Sequence, residues 1–217
     1  MKNPIHKYKP YIVDRDFLLS SLVAILFLLA SLFVNFYAGA YASERASNSV
    51  TDIVLSNIRV FDVGWMIAQG AILFWLFVLF LCLYEPRRIP FTAKSIALFV
   101  LIRSIFISIT HIGPYPTHLL IDSHILSKFS YGEGDLFFSA HTGLPFLMAL
   151  VFWDHTYLRL FFLASSVIFG VVVLLGHVHY SIDVLAAFFI TYSIYHIAVL
   201  FFQGDKKLFA SGIGQSE

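Results

Sequence analysis

The sequence predicts an all-α integral membrane protein built as a bundle of six transmembrane helices. Of its 217 residues, 59% are hydrophobic and only 12% are charged, about half the charged fraction of an ordinary soluble domain. Six apolar segments reach or approach the ~20 residues that a helix needs to cross a hydrocarbon layer of about 30 Å. These segments are residues 17–37, 65–84, 95–111, 136–153, 158–176 and 182–202.

The six segments differ in the residues that accompany them. The first follows sixteen residues and lacks a cleavage box of small residues, so we expect a helix there and not a signal peptide. The second holds the single cysteine, Cys82, which has no partner for an intrachain disulfide. The third carries Arg103 inside its apolar run. The fourth and sixth begin next to histidine and aspartate residues, and the fifth ends beside a histidine pair.

The cations fall mainly on one side of the predicted helices. Ten of the fourteen lysines and arginines lie before the first helix, near the turns after the second and fourth helices, or after the sixth. They are Lys2, Lys7, Lys9, Arg15, Arg87, Arg88, Lys94, Arg159, Lys206 and Lys207. Because cytoplasmic loops are enriched in lysine and arginine, we expect both termini in the cytoplasm.

We expect one membrane domain, residues 17–202, between a cytoplasmic N-terminal segment, residues 1–16, and a cytoplasmic C-terminal tail, residues 203–217. The opposite side of the membrane then receives a loop of about 27 residues after the first helix and one of about 24 after the third. The first loop contains a stretch, residues 51–62, in which an ordered amphipathic segment could form. No internal repeat is evident.

Two polar motifs lie where apolar segments meet the extracytoplasmic side. The first is Gly-Asp-Leu-Phe-Phe-Ser-Ala-His-Thr-Gly at residues 134–143, and the second is His-Val-His-Tyr-Ser-Ile-Asp at residues 177–183. Ionisable groups in membrane segments are costly and usually mark a functional site. The shared depth of His141, His179 and Asp183 therefore predicts one composite site.

The residue types in these motifs suit phosphoryl transfer. If the chain is already helical at residue 179, the four-residue spacing places His179 and Asp183 on one face. The carboxylate can then accept the proton of one ring nitrogen and leave the other nitrogen free for attack. His141 can protonate a leaving oxygen, and a helix beginning near Ser139 and Thr142 offers amides and a partial positive charge to a phosphate. The pattern predicts a phosphohistidine intermediate.

Other interpretations of these residues compete with this one. A divalent metal could bind His177, His179 and Asp183, but metallohydrolase sites generally gather more carboxylates, so we expect no metal and no cofactor. A transporter with a histidine relay would spread ionisable residues through the depth of the bundle, whereas these lie at one end. The remaining histidines have an ordinary structural or interfacial interpretation: His6, His111, His118, His124, His155 and His196.

The two motifs resemble signatures of the sphingomyelin synthase family, which belongs with the type-2 phosphatidic acid phosphatases. Residues 134–142, Gly-Asp-x-x-x-Ser-x-His-Thr, look like the third signature of that family, and residues 176–184, Gly-His-x-His-Tyr-Ser-x-Asp-Val, look like the fourth. Residues 101–110, which include Arg103, are similar to its arginine-threonine signature. Asp52 stands where the family has a proline-rich segment ending in aspartate, although here that signature is incomplete.

The resemblance implies a six-helix membrane bundle and assigns roles to single residues. His179 would be the nucleophile, Asp183 its orienting carboxylate, and His141 the acid that protonates the departing group. The substrate-binding or supporting residues would be Asp135, Ser139, Thr142, His177, Tyr180 and Arg103. The chain lacks the lysine-arginine-proline signature of the phosphatase branch, and the synthase branch also has histidine at the position of His177. Both features favour the synthase branch.

We therefore expect a sphingomyelin synthase-like phosphotransferase. It would cleave the phosphodiester of a membrane phospholipid, hold the phospho-headgroup on His179 and pass it to a lipid hydroxyl such as that of ceramide, releasing diacylglycerol. The alternative is a lipid phosphate phosphatase or phospholipase C-like hydrolase with water as acceptor, because the outcome depends on whether water is excluded. We expect the site on the extracytoplasmic or lumenal side and no nucleic-acid partner, and the pattern indicates no particular oligomeric state.

Overall fold

The computed structural model of the protein describes residues 4–119 and 136–212, which form helices and turns and contain no strand. Eight α-helices lie within these ranges, and a short 3-10 turn, Pro86–Arg88, precedes the fourth. The helices are α1 (Pro4–Val13), α2 (Arg15–Glu44), α3 (Gly64–Tyr84), α4 (Ile89–Ile109), α5 (Ala140–Val151), α6 (Thr156–Leu175), α7 (Ser181–Phe201) and α8 (Gln203–Ser211).

Five of these helices are long and apolar enough to cross a membrane: α2, α3, α4 with the turn before it, α6 and α7. The prediction of a helical, multi-pass membrane protein is thus supported by length and composition. Helix α5 has only 12 residues, which corresponds to about 18 Å at 1.5 Å per residue. It is too short to span about 30 Å by itself, so the sixth span stays a prediction.

Helix boundaries differ from the predicted ones mainly at the end of α2 and at the starts of α4 and α5, since α4 begins at Ile89 and not at residue 95. The predicted helix at residues 136–153 begins only at Ala140, because Phe138 has a φ of 35° that no α-helix accepts. Helix α2 extends beyond its apolar run at both ends: it begins at Arg15, where Asp14 caps it by accepting a hydrogen bond from the Phe17 amide at 2.7 Å, and it ends at Glu44. Helices α1 and α8 lie in segments whose hydropathy gives no signal for a membrane helix.

The bundle is arranged around α5, which packs against α4, α6 and α7. Helix α2 packs along α4 through a buried stripe of small residues, and small residues let two helix backbones approach closely in a membrane. The stripe comprises Ala24, Ser31, Ala38, Gly39 and Ala42. Helix α3 packs more loosely, touching α6 and the beginning of α4.

One end of the bundle, here called the terminal end, holds α1, α8 and the turn Pro86–Arg88. There Arg87 Nη1 donates a hydrogen bond to the Ala210 carbonyl at 2.9 Å, and Lys94 forms an ion pair with Asp205 at 2.6 Å. The Lys206 ammonium lies 5.2–5.7 Å from the centroids of three aromatic rings, a distance that allows cation–π attraction. Both terminal helices therefore share one end of the molecule.

The opposite end, here called the loop end, is covered by residues 45–63 between α2 and α3. Backbone hydrogen bonds attach this loop to its neighbours: Ser47 N donates to His111 O at 2.8 Å, and Phe61 N donates to Leu175 O at 2.9 Å. Residues 51–62, where the sequence allows an amphipathic segment, form turns and extended chain and no helix. The loop instead ties α4 to the junction of α6 and α7.

Close packing of α5 generates the first prediction. A Cβ added at Gly143 would lie 2.8 Å from both the Phe99 ring and Thr191 Oγ1, closer than carbon atoms can pack. We expect Gly143→Ala to lower the free energy of unfolding by about 1–3 kcal/mol, the usual cost of overpacking. Gly204→Ala is the matched control, because nothing lies within 4 Å of its added Cβ. Thermal unfolding in detergent measures both, and equal midpoints for the two variants would contradict the packing argument.

Candidate functional site

The structure brings His141, His179 and Asp183 together at the loop end. The ring centroids of His141 and His179 are 6.2 Å apart, with their planes inclined at 60°. Asp183 Oδ2 lies 3.7 Å from His179 Nδ1. His179 immediately precedes the junction with α7, and His141 lies in the first turn of α5. Residues from two separate motifs therefore form a single cluster.

The orientation of the His179 ring is set by a backbone carbonyl. His179 Nδ1 lies 3.0 Å from the Leu136 oxygen, and a carbonyl can only accept, so Nδ1 must carry the proton. This bond corrects the expectation that Asp183 accepts it, because 3.7 Å is too long for a hydrogen bond. The consequence for Nε2 is the same as predicted: it is the nitrogen left unprotonated in the neutral ring.

Asp183 is completely buried and belongs to the capping box at the start of α7. Its Oδ2 accepts a hydrogen bond from the Tyr180 amide at 3.0 Å, and its Oδ1 has no hydrogen-bond partner among the described residues. A carboxylate in a medium of low dielectric constant acts strongly on a nearby ring. Asp183 is thus placed to stabilise positive charge that develops on His179.

His141 faces the same cluster from α5. Its Nδ1 is buried and has no hydrogen-bond partner within the described part of the chain, which is unusual for a buried polar atom. Its ring also lies 6.3 Å from that of Phe169 on α6. The His141 side chain therefore has one polar and one apolar neighbourhood.

Ser139 and Thr142 form the hydrogen bonds that stabilise the start of α5. The Ser139 hydroxyl accepts a hydrogen bond from the Thr142 amide at 3.4 Å, which is an N-cap. The Ser139 amide donates to the Asp183 carbonyl at 3.1 Å and so joins α5 to α7. Thr142 is fully buried against α6, where Ser166 Oγ donates to its carbonyl at 2.7 Å. The Ser139 side chain and the Thr142 backbone thus organise the start of the helix, and the first amides of α5 still have no partner inside the helix.

Arg103 is buried, with 5% of its surface exposed, and its Nε donates a hydrogen bond to the Phe138 carbonyl at 3.1 Å. Phe138 is the residue with the left-handed φ of 35°. Arg103 thus holds the strained turn that leads into α5. The remaining supporting residue predicted from the sequence, Asp135, lies outside the described residues.

His177 and Tyr180 face the loops and not the histidine pair. His177 has a φ of 52°, and its Nδ1 lies 2.7 Å from Thr117 Oγ1. Burial lowers the pKa of His177, while the negative charge of Asp52 acts in the opposite direction. Tyr180 donates through its hydroxyl to the Gly113 carbonyl at 2.8 Å. Both residues anchor the segment that carries His179.

An apolar groove of about 450 Å³ leads from the lipid-facing surface to His141. It lies between α3 and α5 and is closed on one side by Phe169 of α6. Among the lining residues that the structure describes, His141 is the one ionisable side chain; they are Ala71, Ile72, Phe74, Trp75, Leu76, Leu79, Ala140, His141, Leu144, Pro145 and Phe169. Ile72, Leu76 and Leu79 are 42–57% exposed, so in a membrane this groove opens towards the hydrocarbon.

Within residues 4–119 and 136–212, no group of three histidine, cysteine, aspartate or glutamate side chains is arranged to hold a metal ion. The metal interpretation of His177, His179 and Asp183 loses its geometric basis, since the His177 ring is bonded towards Thr117. The expectation of a metal-independent site stays a prediction.

Sequence reasoning missed two parts of the site. The Leu136 carbonyl has no side-chain signature, and a backbone acceptor can be found only once the fold is known. Asp52 was noted only by resemblance, yet it bonds directly to Ser181 at the start of α7. An isolated aspartate in a loop otherwise gives a weak signal.

No family model, no curated protein and no solved structure matches this chain. The resemblance to sphingomyelin synthases therefore depends on the short motifs described above.

The carbonyl contact predicts the tautomer of His179. We expect neutral His179 to carry its proton on Nδ1 at pH 8, and we expect Asp183→Asn to keep that tautomer because the substitution leaves the Leu136 carbonyl in place. Nitrogen chemical shifts of histidine-labelled protein measure the tautomer, with His179→Gln used to assign the signal. A proton on Nε2 in the wild type, or a tautomer change in Asp183→Asn, would show that the carbonyl does not control the ring.

Proposed function

We propose that the protein is a lipid phosphotransferase that forms a phosphohistidine on Nε2 of His179. The observation that carries the proposal is the Nδ1 contact with the Leu136 carbonyl, which leaves Nε2 as the basic nitrogen, with the His141 ring 6.2 Å away. At that separation both imidazoles could contact one phosphate group. Nucleophile and acid then stand on either side of the reacting centre.

In the proposed first step, the lone pair of His179 Nε2 attacks the phosphorus of a phospholipid phosphodiester. The bond to the diacylglycerol oxygen breaks as the N–P bond forms, and protonated His141 delivers its proton to that oxygen. The buried Asp183 carboxylate, 3.7 Å from Nδ1, stabilises the positive charge that the phosphorylated ring acquires. Diacylglycerol leaves, and the phospho-headgroup stays on His179.

In the second step, a hydroxyl group attacks the phosphohistidine while neutral His141 takes the hydroxyl proton. The O–P bond forms, the N–P bond breaks, and both histidines return to their starting protonation states. A lipid hydroxyl such as that of ceramide gives transfer, and water gives hydrolysis. The exposed fractions of His179 (4%) and Asp183 (0%) favour transfer, since a buried intermediate is shielded from water.

The groove supports a lipid as the donor. Its lining is apolar apart from His141, and it faces the hydrocarbon between α3 and α5. A phospholipid could enter sideways with its acyl chain in the groove and its phosphate at the histidine pair, without leaving the membrane. A soluble phosphate ester has no acyl chain that could bind to such an apolar surface.

We also propose that α5, with residues 136–139, completes a sixth span and that both termini are cytoplasmic. The terminal end holds Arg87, Arg88 and Lys94 as well as α1 and α8, and positive charge marks the cytoplasmic side. This orientation puts the histidine pair at the extracytoplasmic or lumenal leaflet. The donor lipid would then come from that leaflet.

The decisive assay offers the purified protein labelled phosphatidylcholine, phosphatidylethanolamine or phosphatidic acid, each with and without ceramide. Label in a new sphingolipid identifies transfer. Water-soluble phosphocholine, phosphoethanolamine or phosphate released without ceramide identifies hydrolysis. Absence of any product with all three donors would contradict the proposed function.

The nucleophile assignment gives a prediction for single substitutions. We expect His179→Asn to abolish turnover and the acid-labile labelled intermediate, because an amide offers no basic nitrogen. The control is His196→Asn, the same change on the exposed far end of α7, which should keep both. Turnover in His179→Asn above a few per cent of wild type would rule out the phosphohistidine mechanism.

The groove predicts a dependence on acyl-chain length. We expect Ala71→Phe to fill the groove and lower kcat/KM for long-chain donors by roughly tenfold, the effect of losing about 1.4 kcal/mol of binding, and to spare short-chain donors. Leu73→Phe is the control, because Leu73 is 67% exposed on the same helix and lies outside the groove. Equal losses for long and short chains would contradict a role for the groove in binding the chain.

A further inference from the structure

We propose that Asp52 is a positioning residue that clamps the nucleophile segment, residues 177–183, from the loop between α2 and α3. This inference rests on the proposed function for its catalytic consequence, while the clamp itself is a matter of structure. Asp52 lies 129 positions away from Ser181 in the sequence, and its side chain is 6% exposed.

The Asp52 carboxylate joins two parts of the chain. Its Oδ1 accepts hydrogen bonds from the amides of Val54 at 2.8 Å and Leu55 at 3.1 Å, which folds its own loop. Its Oδ2 accepts from the Ser181 amide at 2.7 Å and from the Ser181 hydroxyl at 2.8 Å. All four bonds end on one ionised group, and bonds of that kind are stronger than those between neutral groups.

Ser181 is the point where this clamp affects the site. It is the first residue of α7, two positions after His179 and two before Asp183. Its amide is one of those that have no acceptor inside the helix, and a carboxylate there also interacts favourably with the helix dipole. Fixing Ser181 therefore fixes both the backbone that leads from His179 and the first turn that carries Asp183.

The neighbouring anchors are neutral and act on the same segment. The Tyr180 hydroxyl accepts from the Val50 amide at 3.2 Å and donates to Gly113 O. His177 bonds towards Thr117. Asp52 adds to these an ionised anchor, and it does so from the same loop as Val50, so the loop and the nucleophile segment are held as one unit.

The ionised state of Asp52 persists at neutral pH. Burial raises the pKa of the Asp52 carboxyl, but the hydrogen bonds from Ser181, Leu55 and Val54 outweigh burial, and the pKa lies below its ordinary value of 3.8. A lowered pKa means that the clamp contributes its full stabilisation above that ordinary value and loses it only as pH falls through the lowered pKa. Removal of the charge at neutral pH therefore requires a substitution.

The experiment uses the full-length protein in lipid nanodiscs and compares Asp52→Asn with the wild type. We expect kcat to fall about 100-fold with little change in the KM for the donor, since a displacement of about 1 Å at the reacting groups costs roughly that factor. We expect faster hydrogen exchange confined to the first turn of α7. Ser181→Ala, which keeps the backbone amide bond and loses the hydroxyl bond, should show a smaller fall in kcat.

Asp205→Asn is the control for a merely structural role, because it breaks the partly buried ion pair with Lys94 at the terminal end, in which the charged atoms are 2.6 Å apart. It should lower the unfolding temperature while kcat stays at the wild-type level. A kcat for Asp52→Asn within twofold of wild type would overturn the proposal, as would an equal loss of kcat in Asp205→Asn. If the wild type transfers no phosphate group, the proposed function fails, and hydrogen exchange alone then decides the clamp: unchanged exchange in α7 of Asp52→Asn would overturn it.

Discussion

The site depends on the way residues 136–139 cross the beginning of α7. Two hydrogen bonds define this crossing: His179 Nδ1 donates to Leu136 O, and Ser139 N donates to Asp183 O. The first orients the nucleophile candidate, and the second fixes where α5 begins, which in turn places His141. Both bonds lie in a buried region, where an unmade hydrogen bond is expensive, so the crossing is strongly specified.

Backbone strain is concentrated beside this crossing. Phe138 and His177 both have left-handed φ angles, 35° and 52°, and such residues cost of order 1–3 kcal/mol each. They persist because their surroundings hold them: Arg103 bonds to the Phe138 carbonyl, and Thr117 bonds to the His177 ring. Arg103 and His177 thus hold the backbone beside the cluster that His141, His179 and Asp183 form.

The sequence was sufficient to predict the membrane class and the grouping of His141, His179 and Asp183, because polar side chains at the ends of apolar runs stand out against their surroundings. It was not sufficient to predict the acceptor for His179, since the helical spacing to Asp183 gives proximity and not hydrogen-bond geometry. The sequence also did not predict that α5 is short. Its apolar run continues through Phe138, whereas the backbone at Phe138 is not helical. The bond between Asp52 and Ser181 joins residues 129 positions apart, a distance at which no local pattern operates.

The size of the groove constrains how the proposed reaction would proceed. A volume of about 450 Å³ falls in the lower part of the usual range for ligand sites, roughly 300–1,000 Å³, and it has one histidine at its inner end. If the donor chain occupies it, an acceptor lipid must wait until diacylglycerol has left. A covalent intermediate allows this order, because the phospho-headgroup stays on His179 while the acceptor lipid replaces diacylglycerol in the groove. The proposed chemistry therefore entails ping-pong kinetics, in which the donor and acceptor lipids compete for the same apolar surface.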